Sequence, residues 1–181
     1  LNVGCMPTKA MLHASDLAWR MRRAETLGVA SAPGRVDGAA MMARVHEVVA
    51  ELRGRTDSAV ASQRTVELIR GRGRLDGADA LLVETDEGPR RIAAKSIILA
   101  SGSRPVRPDF LPWDSPLVMT TDEACTARDL PASVAIMGGG VIGCEFACLF
   151  AEAGVPVTLI EMLDELLPTL DRDASKVVRA L

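Results

Sequence analysis

Residues 133–161 read S-VAIM-GGGVIG-CEFACLFAEAG-VPVTLI-E, and this stretch decides the fold. The apolar run at 134–137 is typical of a strand that is buried on both faces. Glycines follow at once, and apolar residues then recur at helical spacing until Gly154, a usual helix stop. The run at 155–160 predicts a second buried strand, which ends at Glu161. The stretch therefore predicts a strand–helix–strand unit of a parallel sheet.

Three glycines in this unit have the spacing G-x-G-x-x-G, and each has a physical task. Gly138 permits a tight turn, Gly140 lets a pyrophosphate approach the backbone, and Gly143 lets helix and strand pack closely. The helix N-terminus then offers free N–H groups to phosphates. Glu161 lies 18 residues after Gly143 (161 − 143), near the spacing of an acid that binds a ribose diol. The alternative is an ordinary glycine turn with a solvated Glu161. The strand, helix, second strand and acid all occur at the expected spacing, which favours a dinucleotide site. The Glu161 carboxylate would repel a 2′-phosphate, which favours NAD over NADP.

Between Gly143 and Leu149 the helix after the glycines carries three polar or sulfur side chains. Glu145 lies on its first turn, and two roles stay open: a charge that complements the helix dipole, or a contact with the nicotinamide end of the dinucleotide. Cys144 and Cys148 lie four residues apart but have no second pair and no nearby histidine. They are therefore predicted to be small buried residues, and no metal site is expected.

Composition excludes several classes of protein. The chain has 181 residues, of which 48% are hydrophobic and 25% charged, and its net charge is −3. Basic residues are dispersed, which argues against nucleic acid or an anionic membrane as partner. No apolar run reaches the ~18 residues of a membrane span, and no signal peptide opens the chain. The four cysteines do not form a secreted disulfide pattern, so a cytoplasmic location is expected.

The ends of the chain suggest an incomplete protein. It begins at Leu1 without a methionine and stops within a helical pattern. Only the first strand–helix–strand unit of a dinucleotide fold is present, and such a fold needs further strands. We therefore expect an internal fragment of a longer protein.

The N-terminal residues place a cysteine just before an amphipathic helix that stops at Gly28. Pro7 suits the first turn of this helix. Cys5 precedes it and Lys9 follows one turn later, and both the helix N-terminus and the cation favour a reactive thiolate. A buried, inert cysteine is the alternative that the residues leave open. After a loop at 31–34, Asp37 is the predicted N-cap of a long second helix that reaches about residue 63.

The sequence pattern in the middle of the chain is typical of short strands. Segments at 65–70, 81–85 and 91–94 predict a small antiparallel meander, with a Gly-Arg-Gly-Arg turn at 71–74. Residues 95–100 predict another buried strand that a Ser-Gly-Ser turn stops. A proline-rich connector at 105–116 and a short helix at 120–130 then lead to the nucleotide strand.

Taken together, these motifs resemble those of the pyridine nucleotide–disulfide oxidoreductases, in the same order and over the whole chain. Residues 1–13, LNVGCMPTKAMLH, resemble the redox-active segment, most closely that of the dihydrolipoyl dehydrogenase group. Residues 98–105, ILASGSRP, are similar to the flavin motif, and 138–147 with 157–161 to the NAD motif. The resemblance implies an α/β, FAD/NAD(P)-binding Rossmann-like fold in three ββα layers with a small antiparallel meander. It assigns 1–115 to part of an FAD-binding domain, and 116–181 to a linker and the first unit of an NAD-binding domain.

The resemblance also implies roles for single residues. Cys5 would be the flavin-side member of a C-x4-C redox disulfide, with its partner immediately before Leu1, and Lys9 would lie beside the flavin ring. The flavin-contacting backbone would be that of Gly73, Ser101, Gly102 and Ser103. The NAD contacts would be Gly138, Gly139, Gly140, Val141, Ile142, Gly143, Cys144, Glu145 and Glu161.

The activity implied is oxidation of dihydrolipoamide, carried on a lipoyl domain, with electrons passed through the disulfide and FAD to NAD⁺. The parent would be a homodimer that serves a 2-oxoacid dehydrogenase complex. A mercuric reductase-like enzyme and a non-catalytic dinucleotide-binding or scaffolding subunit are the alternatives; a glutathione reductase-like enzyme would carry an arginine-type NADP site in place of Glu161. Because the other family segments are missing, we expect the isolated 181-residue chain to be inactive.

Overall fold

The computed structural model describes residues 3–30 and 35–180, so the loop predicted at 31–34 lies outside the described residues. Contacts divide the chain into two units: one comprises the residues up to Arg53 and those from Arg107 onward, and the other is Gly54–Val106. This division concerns contacts within the chain. The predicted boundary between residues 115 and 116 concerns the domains of a longer protein and stays a prediction.

Five helices and five strands follow one another in the described part of the chain. In order they are α1 (Cys5–Arg23), α2 (Gly38–Ala61), β1 (Arg72–Leu75), β2 (Ala80–Thr85), β3 (Gly88–Ala93), α3 (Thr121–Thr126), β4 (Val134–Met137), α4 (Val141–Ala153), β5 (Val157–Ile160) and α5 (Arg172–Ala180), with a 3₁₀ turn at Ala24–Leu27.

Two helix ends follow the predicted signals, and a third has a cap that the sequence analysis did not name. The 3₁₀ turn after α1 stops at Gly28, whose φ of 76° is the left-handed conformation that glycine adopts at low cost. The backbone N–H of Ala40 donates to Asp37 Oδ1 at 2.9 Å, which confirms Asp37 as a cap. Thr120 and Glu123 form a capping box at the start of α3. That helix ends at Thr126 rather than at 130, so its predicted length was too great.

The predicted strand–helix–strand unit is present. β4 and β5 pair in parallel, with Val134 opposite Val157 and Met137 opposite Ile160, and α4 connects them. The prediction that the first strand is buried on both faces is wrong for the described chain. Alternate residues of both strands are exposed, and 54% of Met137 is accessible. The reason is that among the described elements α4 packs on these strands, and a single helix covers one face of a sheet.

The core of the first unit is rich in methionine and aromatic side chains. α1, α2 and α4 supply most of its residues, α3 supplies one, and the segment just before β5 supplies one. Its buried members are Met11, Met41, Met42, Val45, Cys125, Phe146, Leu149, Phe150 and Val155. The core therefore joins the helix that carries Cys5 to the helix that follows the glycine turn.

The second unit is an antiparallel sheet in the order β1-β2-β3, as the meander prediction requires. Its first strand is misplaced in that prediction: residues 72–75 form β1, whereas 65–70 form no strand. A strand has two edges, and those of β2 are taken by β3 and by β1, which leaves none for 65–70. Gly73 consequently lies in a strand opposite Val83, not in a turn.

The buried strand predicted at 95–100 is also wrong. These residues have no regular structure, and Ile98 is 90% exposed. An extended segment becomes a strand only when a neighbour pairs with it, and none of the described residues does so.

Of the described helices, none is long and apolar enough to span a bilayer.

Candidate functional site

The glycine turn between β4 and α4 has three distinct geometries at its three motif positions. Gly138 has a φ of 109°, a conformation that other residues rarely adopt, and its N–H donates to Ile160 O at 2.8 Å. A Cβ on Gly143 would lie 1.9 Å from Gly138 O, so helix and turn touch there. A Cβ on Gly140 would meet no atom within 4 Å. The turn is thus tight at its first glycine, open at its second and closely packed at its third.

The N-terminus of α4 faces open space with its donors available to an anion. The first α-helical hydrogen bond at this end runs from Cys144 N–H to Gly140 O at 3.0 Å. The N–H groups of Val141, Ile142 and Gly143 precede it and carry the positive end of the helix dipole. Val141 and Ile142 are more than half exposed. This arrangement fits the pyrophosphate of a dinucleotide.

Glu161 follows β5 and is tied to the same turn. Its Oε2 accepts from Gly139 N–H, and its Oε1 accepts from Leu163 N–H at 2.8 Å. The hydrogen bond from Leu163, and then that from Gly139, hold the pKa of Glu161 below its usual range. Each carboxylate oxygen has a second lone pair, so both retain the capacity to accept from a ribose diol.

A segment after Glu161 also holds the turn, and sequence reasoning did not find it. The carbonyl of Gly139 accepts from Leu167 N–H at 2.8 Å and from the Cys144 thiol at 3.3 Å. Leu167 is buried and has a φ of 53°, the only positive value among the described residues other than glycine. A left-handed leucine carries no sequence signature, which is why the pattern did not reveal it.

The two cysteines of α4 have different surroundings. Cys144 is buried as predicted, and burial is the first cause that raises its pKa. Cys148 is exposed, so the prediction of a buried residue is wrong for it. Residues 144 and 148 lie about 40° apart around a helix, enough to move Cys148 out of the packed stripe. In the described part of the chain, no three His, Cys, Asp or Glu side chains are placed to hold a metal.

Cys5 is the first residue of α1 rather than a residue ahead of it. Its side chain is exposed, so the alternative of a buried cysteine is wrong. Thr8 closes the first turn: its N–H donates to Gly4 O, and its hydroxyl lies 3.1 Å from both Gly4 O and Cys5 O. The turn that carries the thiol is therefore ordered, while its redox role stays a prediction.

Lys9 and Glu145 form an ion pair that joins α1 to α4. The two residues are 136 positions apart, and neither of the two roles left open for Glu145 involved Lys9. The hydrogen bond to Glu145 is the largest cause that raises the pKa of Lys9. The pair places the cation expected beside the flavin one turn from Cys5 and against the first turn of the nucleotide helix.

The remaining predicted site residues belong to the second unit. Gly73 lies in β1, and a Cβ there would meet nothing within 4 Å. Ser101, Gly102 and Ser103 are exposed and lie in an irregular segment, in which Gly102 has a φ of 79°. An open strand position and an exposed serine–glycine turn give a ligand access to the backbone, which fits their predicted contacts with a flavin nucleotide.

Comparison with known proteins agrees with these observations. The family described as "Pyridine nucleotide-disulphide oxidoreductase" matches residues 1–181. Dihydrolipoyl dehydrogenase of Bacillus subtilis is 32% identical over 179 residues, 98% of this chain and 39% of that protein. The protein of the same name from Halobacterium salinarum is 39% identical over 183 residues, 99% of this chain and 38% of that protein.

A solved structure has the same fold. The HOCl-induced flavoprotein disulfide reductase RclA from Escherichia coli, in its Cu(II) complex, matches with a TM-score of 0.76 and 28% identity. The match covers 99% of this chain and 38% of that one. The chain thus spans about two fifths of the length of its relatives. The predicted α/β fold class is confirmed, and FAD and NAD are cofactors of this family. The chain belongs to the pyridine nucleotide-disulphide oxidoreductases.

Proposed function

We propose that this chain is part of a dihydrolipoyl dehydrogenase that oxidises dihydrolipoamide on a lipoyl carrier domain and reduces NAD⁺. The observation that carries the proposal is the Lys9–Glu145 pair, which joins the helix of an exposed cysteine to the helix of a dinucleotide turn. The names of the most similar relatives support the substrate. The protein would be a cytoplasmic homodimer that serves a 2-oxoacid dehydrogenase complex, without a nucleic-acid or membrane partner.

Cys5 would act as leaving group and electron donor. A thiolate of the substrate attacks the disulfide between Cys5 and the cysteine that the family resemblance places before Leu1. The S–S bond breaks, a mixed disulfide forms, and Cys5 leaves as a thiolate. The second substrate thiol then attacks the mixed disulfide, which releases the cyclic disulfide product and a second enzyme thiol. Cys5 is the first residue of α1, so the leaving sulfur lies at the N-terminal end of that helix.

The other predicted site residues would neutralise the charge of the thiolate and hold the dinucleotide in place. Lys9 places a cation one turn from the thiolate, and Glu145 restrains that cation. The glycine turn and the N-terminus of α4 would hold the pyrophosphate of NAD, and Glu161 its ribose. FAD and NAD, when bound, supply the two-electron chemistry that amino acids lack.

Full-length protein tests the proposal. We expect a yellow protein that reduces NAD⁺ with dihydrolipoamide, that prefers NAD⁺ to NADP⁺, and that gains long-wavelength absorbance on partial reduction. Cys5→Ser should abolish both the absorbance and the turnover, whereas Cys148→Ser, at the other exposed cysteine described, should keep both. A colourless protein, or a Cys5→Ser variant with full activity, would refute the assignment.

A second candidate is a flavoprotein disulfide reductase with another substrate. The structural match to RclA, whose described activity is disulfide reduction, favours it. The same preparation should therefore be assayed with NADH or NADPH and glutathione disulfide or Hg²⁺. Turnover with one of these and none with dihydrolipoamide would select the second candidate.

A further inference from the structure

Ser15 and Glu152 form a second contact between side chains of α1 and α4, at a partly buried place in the interface. Ser15 Oγ lies 2.9 Å from Glu152 Oε2 and 3.1 Å from Leu12 O. The side chain of Ser15 is wholly buried, with 0% exposure. The side chain of Arg22 also donates to the backbone carbonyl of Glu152. A buried hydroxyl at this position has a specific partner on the neighbouring helix.

The two contacts between these helices have matching separations. Glu145 and Glu152 are seven residues apart on α4, about 10 Å along the helix, and Lys9 and Ser15 are six apart on α1, about 9 Å. The helices therefore run in the same direction and meet at two heights. Lys9 is 59% exposed at the edge of the interface, so water competes for its contact, whereas Ser15 is wholly buried and its contact with Glu152 is partly buried.

The apolar packing around Ser15 does not define the register of the helices by itself. Met11 of α1 and Leu149 of α4 are buried in one apolar cluster, which also contains Met41 and Met42 of α2. Methionine adapts to irregular space, so a methionine-rich core tolerates small shifts of one helix along another. The hydrogen bond between Ser15 and Glu152 restricts such a shift, because its 2.9 Å distance would be lost if α1 moved along α4.

We infer that the hydrogen bond between Ser15 and Glu152 is a positioning contact that sets α1, with Cys5 and Lys9, at a defined height against α4 and its nucleotide turn. The inference rests on the proposed function. Its consequence is selective: the dithiol step uses groups carried by α1, whereas electron transfer to NAD⁺ requires groups on both helices to be in register. Loss of the contact should therefore slow the second step and spare the first.

Rapid kinetics on the full-length flavoprotein tests this inference. Ser15→Ala and Glu152→Met remove the contact, Glu152→Gln keeps an acceptor oxygen, and Asp173→Asn breaks the exposed pair with Lys176 on α5. We expect the first two variants to slow reoxidation by NAD⁺ by roughly tenfold, since a misplacement of about 1 Å can cost up to a hundredfold in rate. Dithiol-driven reduction and the KM for NAD⁺ should stay unchanged. Glu152→Gln and Asp173→Asn should behave like the unchanged protein.

A second readout needs no cofactor. The hydrogen bond to Glu145 raises the pKa of Lys9 and so lowers the fraction of free amine that can be acylated. Acetic anhydride labelling of Lys9 should therefore rise several-fold in Ser15→Ala and Glu152→Met but not in Glu152→Gln. If Ser15→Ala fails to fold, the two Glu152 variants decide the question. Equal slowing of both kinetic steps, or unchanged kinetics and labelling, would overturn the inference. If the protein without substitutions shows neither dithiol-driven reduction nor reoxidation by NAD⁺, the proposed function is refuted. The labelling of Lys9 would then still test the contact between Ser15 and Glu152.

Discussion

Glu161, just after β5, accepts a hydrogen bond from the backbone N–H of Gly139, 22 positions earlier in the chain. The acid expected to bind the ribose is therefore linked directly to the turn expected to bind the pyrophosphate. The hydrogen bond between Gly139 and Glu161 holds the acid and the turn in a fixed arrangement. This link makes Glu161 a structural residue as well as a predicted ligand.

Glu161→Gln should weaken the discrimination between NAD⁺ and NADP⁺. The amide removes the charge that repels a 2′-phosphate, so the ratio of kcat/KM values should fall by roughly ten- to a hundredfold. Glu165→Gln, at an exposed acid four residues later, is the control and should leave the ratio unchanged. Steady-state kinetics of the full-length protein with both dinucleotides measures the effect, and an unchanged ratio in Glu161→Gln would contradict it.

The same residue should contribute to acid sensitivity. Because the pKa of Glu161 is lowered in the folded protein, its contribution to the free energy of unfolding is present above its unfolded pKa of about 4.3 and is lost as pH falls through the folded value. Denaturant titrations between pH 7 and pH 3 should therefore show a smaller loss of stability in Glu161→Gln than in the unchanged protein. Identical profiles would show that the backbone hydrogen bonds do not matter for folding.

Two glycines of the turn should respond in opposite ways to alanine. Gly143→Ala places a Cβ against the backbone oxygen of Gly138 and should lower the free energy of unfolding by about 1–3 kcal/mol. Gly140→Ala enters open space and should leave stability nearly unchanged, but it should raise the Kd for NAD because the pyrophosphate needs that space. Thermal unfolding and dinucleotide titration of both variants separate the effects, and equal melting temperatures would contradict the packing role of Gly143.

Glu145→Gln should lower the pKa of Lys9 toward its ordinary value, because the hydrogen bond and charge of Glu145 are what raise it. A raised lysine pKa stabilises the fold below the unfolded pKa of about 10.4, and this contribution is lost as pH rises through the folded value. The pH dependence of Lys9 acylation, followed by peptide mass spectrometry, measures the shift. Asp173→Asn, which removes the exposed partner of Lys176, is the control and should leave Lys9 unaffected.

Thiol labelling should separate the four cysteines. Burial raises the pKa of Cys125 to about 11, so only about one molecule in a thousand carries its thiolate at pH 8. Once a dithiol has reduced the native protein, iodoacetamide should therefore modify the exposed Cys5 and Cys148, and the buried Cys125 and Cys144 only in denaturant. Labelling of Cys125 at the native rate of Cys5 would show that the core around α3 opens readily.

Local sequence predicted those elements whose signals are contained in a few neighbouring residues. Asp37 and Gly28 cap their helices through contacts with backbone groups a few residues away. Two of the motif glycines are required because the backbone within one turn leaves no room for a side chain or needs a positive φ. The strand predictions were weaker, because residues 65–70 and 95–100 have the composition of strands but pair with no strand in the described part of the chain. A pattern reports what a segment can form, and pairing decides whether it does.

The sequence by itself determined the strand–helix–strand unit, its glycine turn and the family. The spacing of the glycines and the acid can be recognised without knowing which other elements pack against them. Only the tertiary structure decided that Lys9 meets Glu145, that Ser15 meets Glu152 and that Leu167 holds Gly139. Those partners lie between 28 and 137 positions apart, and contacts at such separations follow from how helices and turns pack. Packing depends on the shape of the whole core, which no local spacing contains.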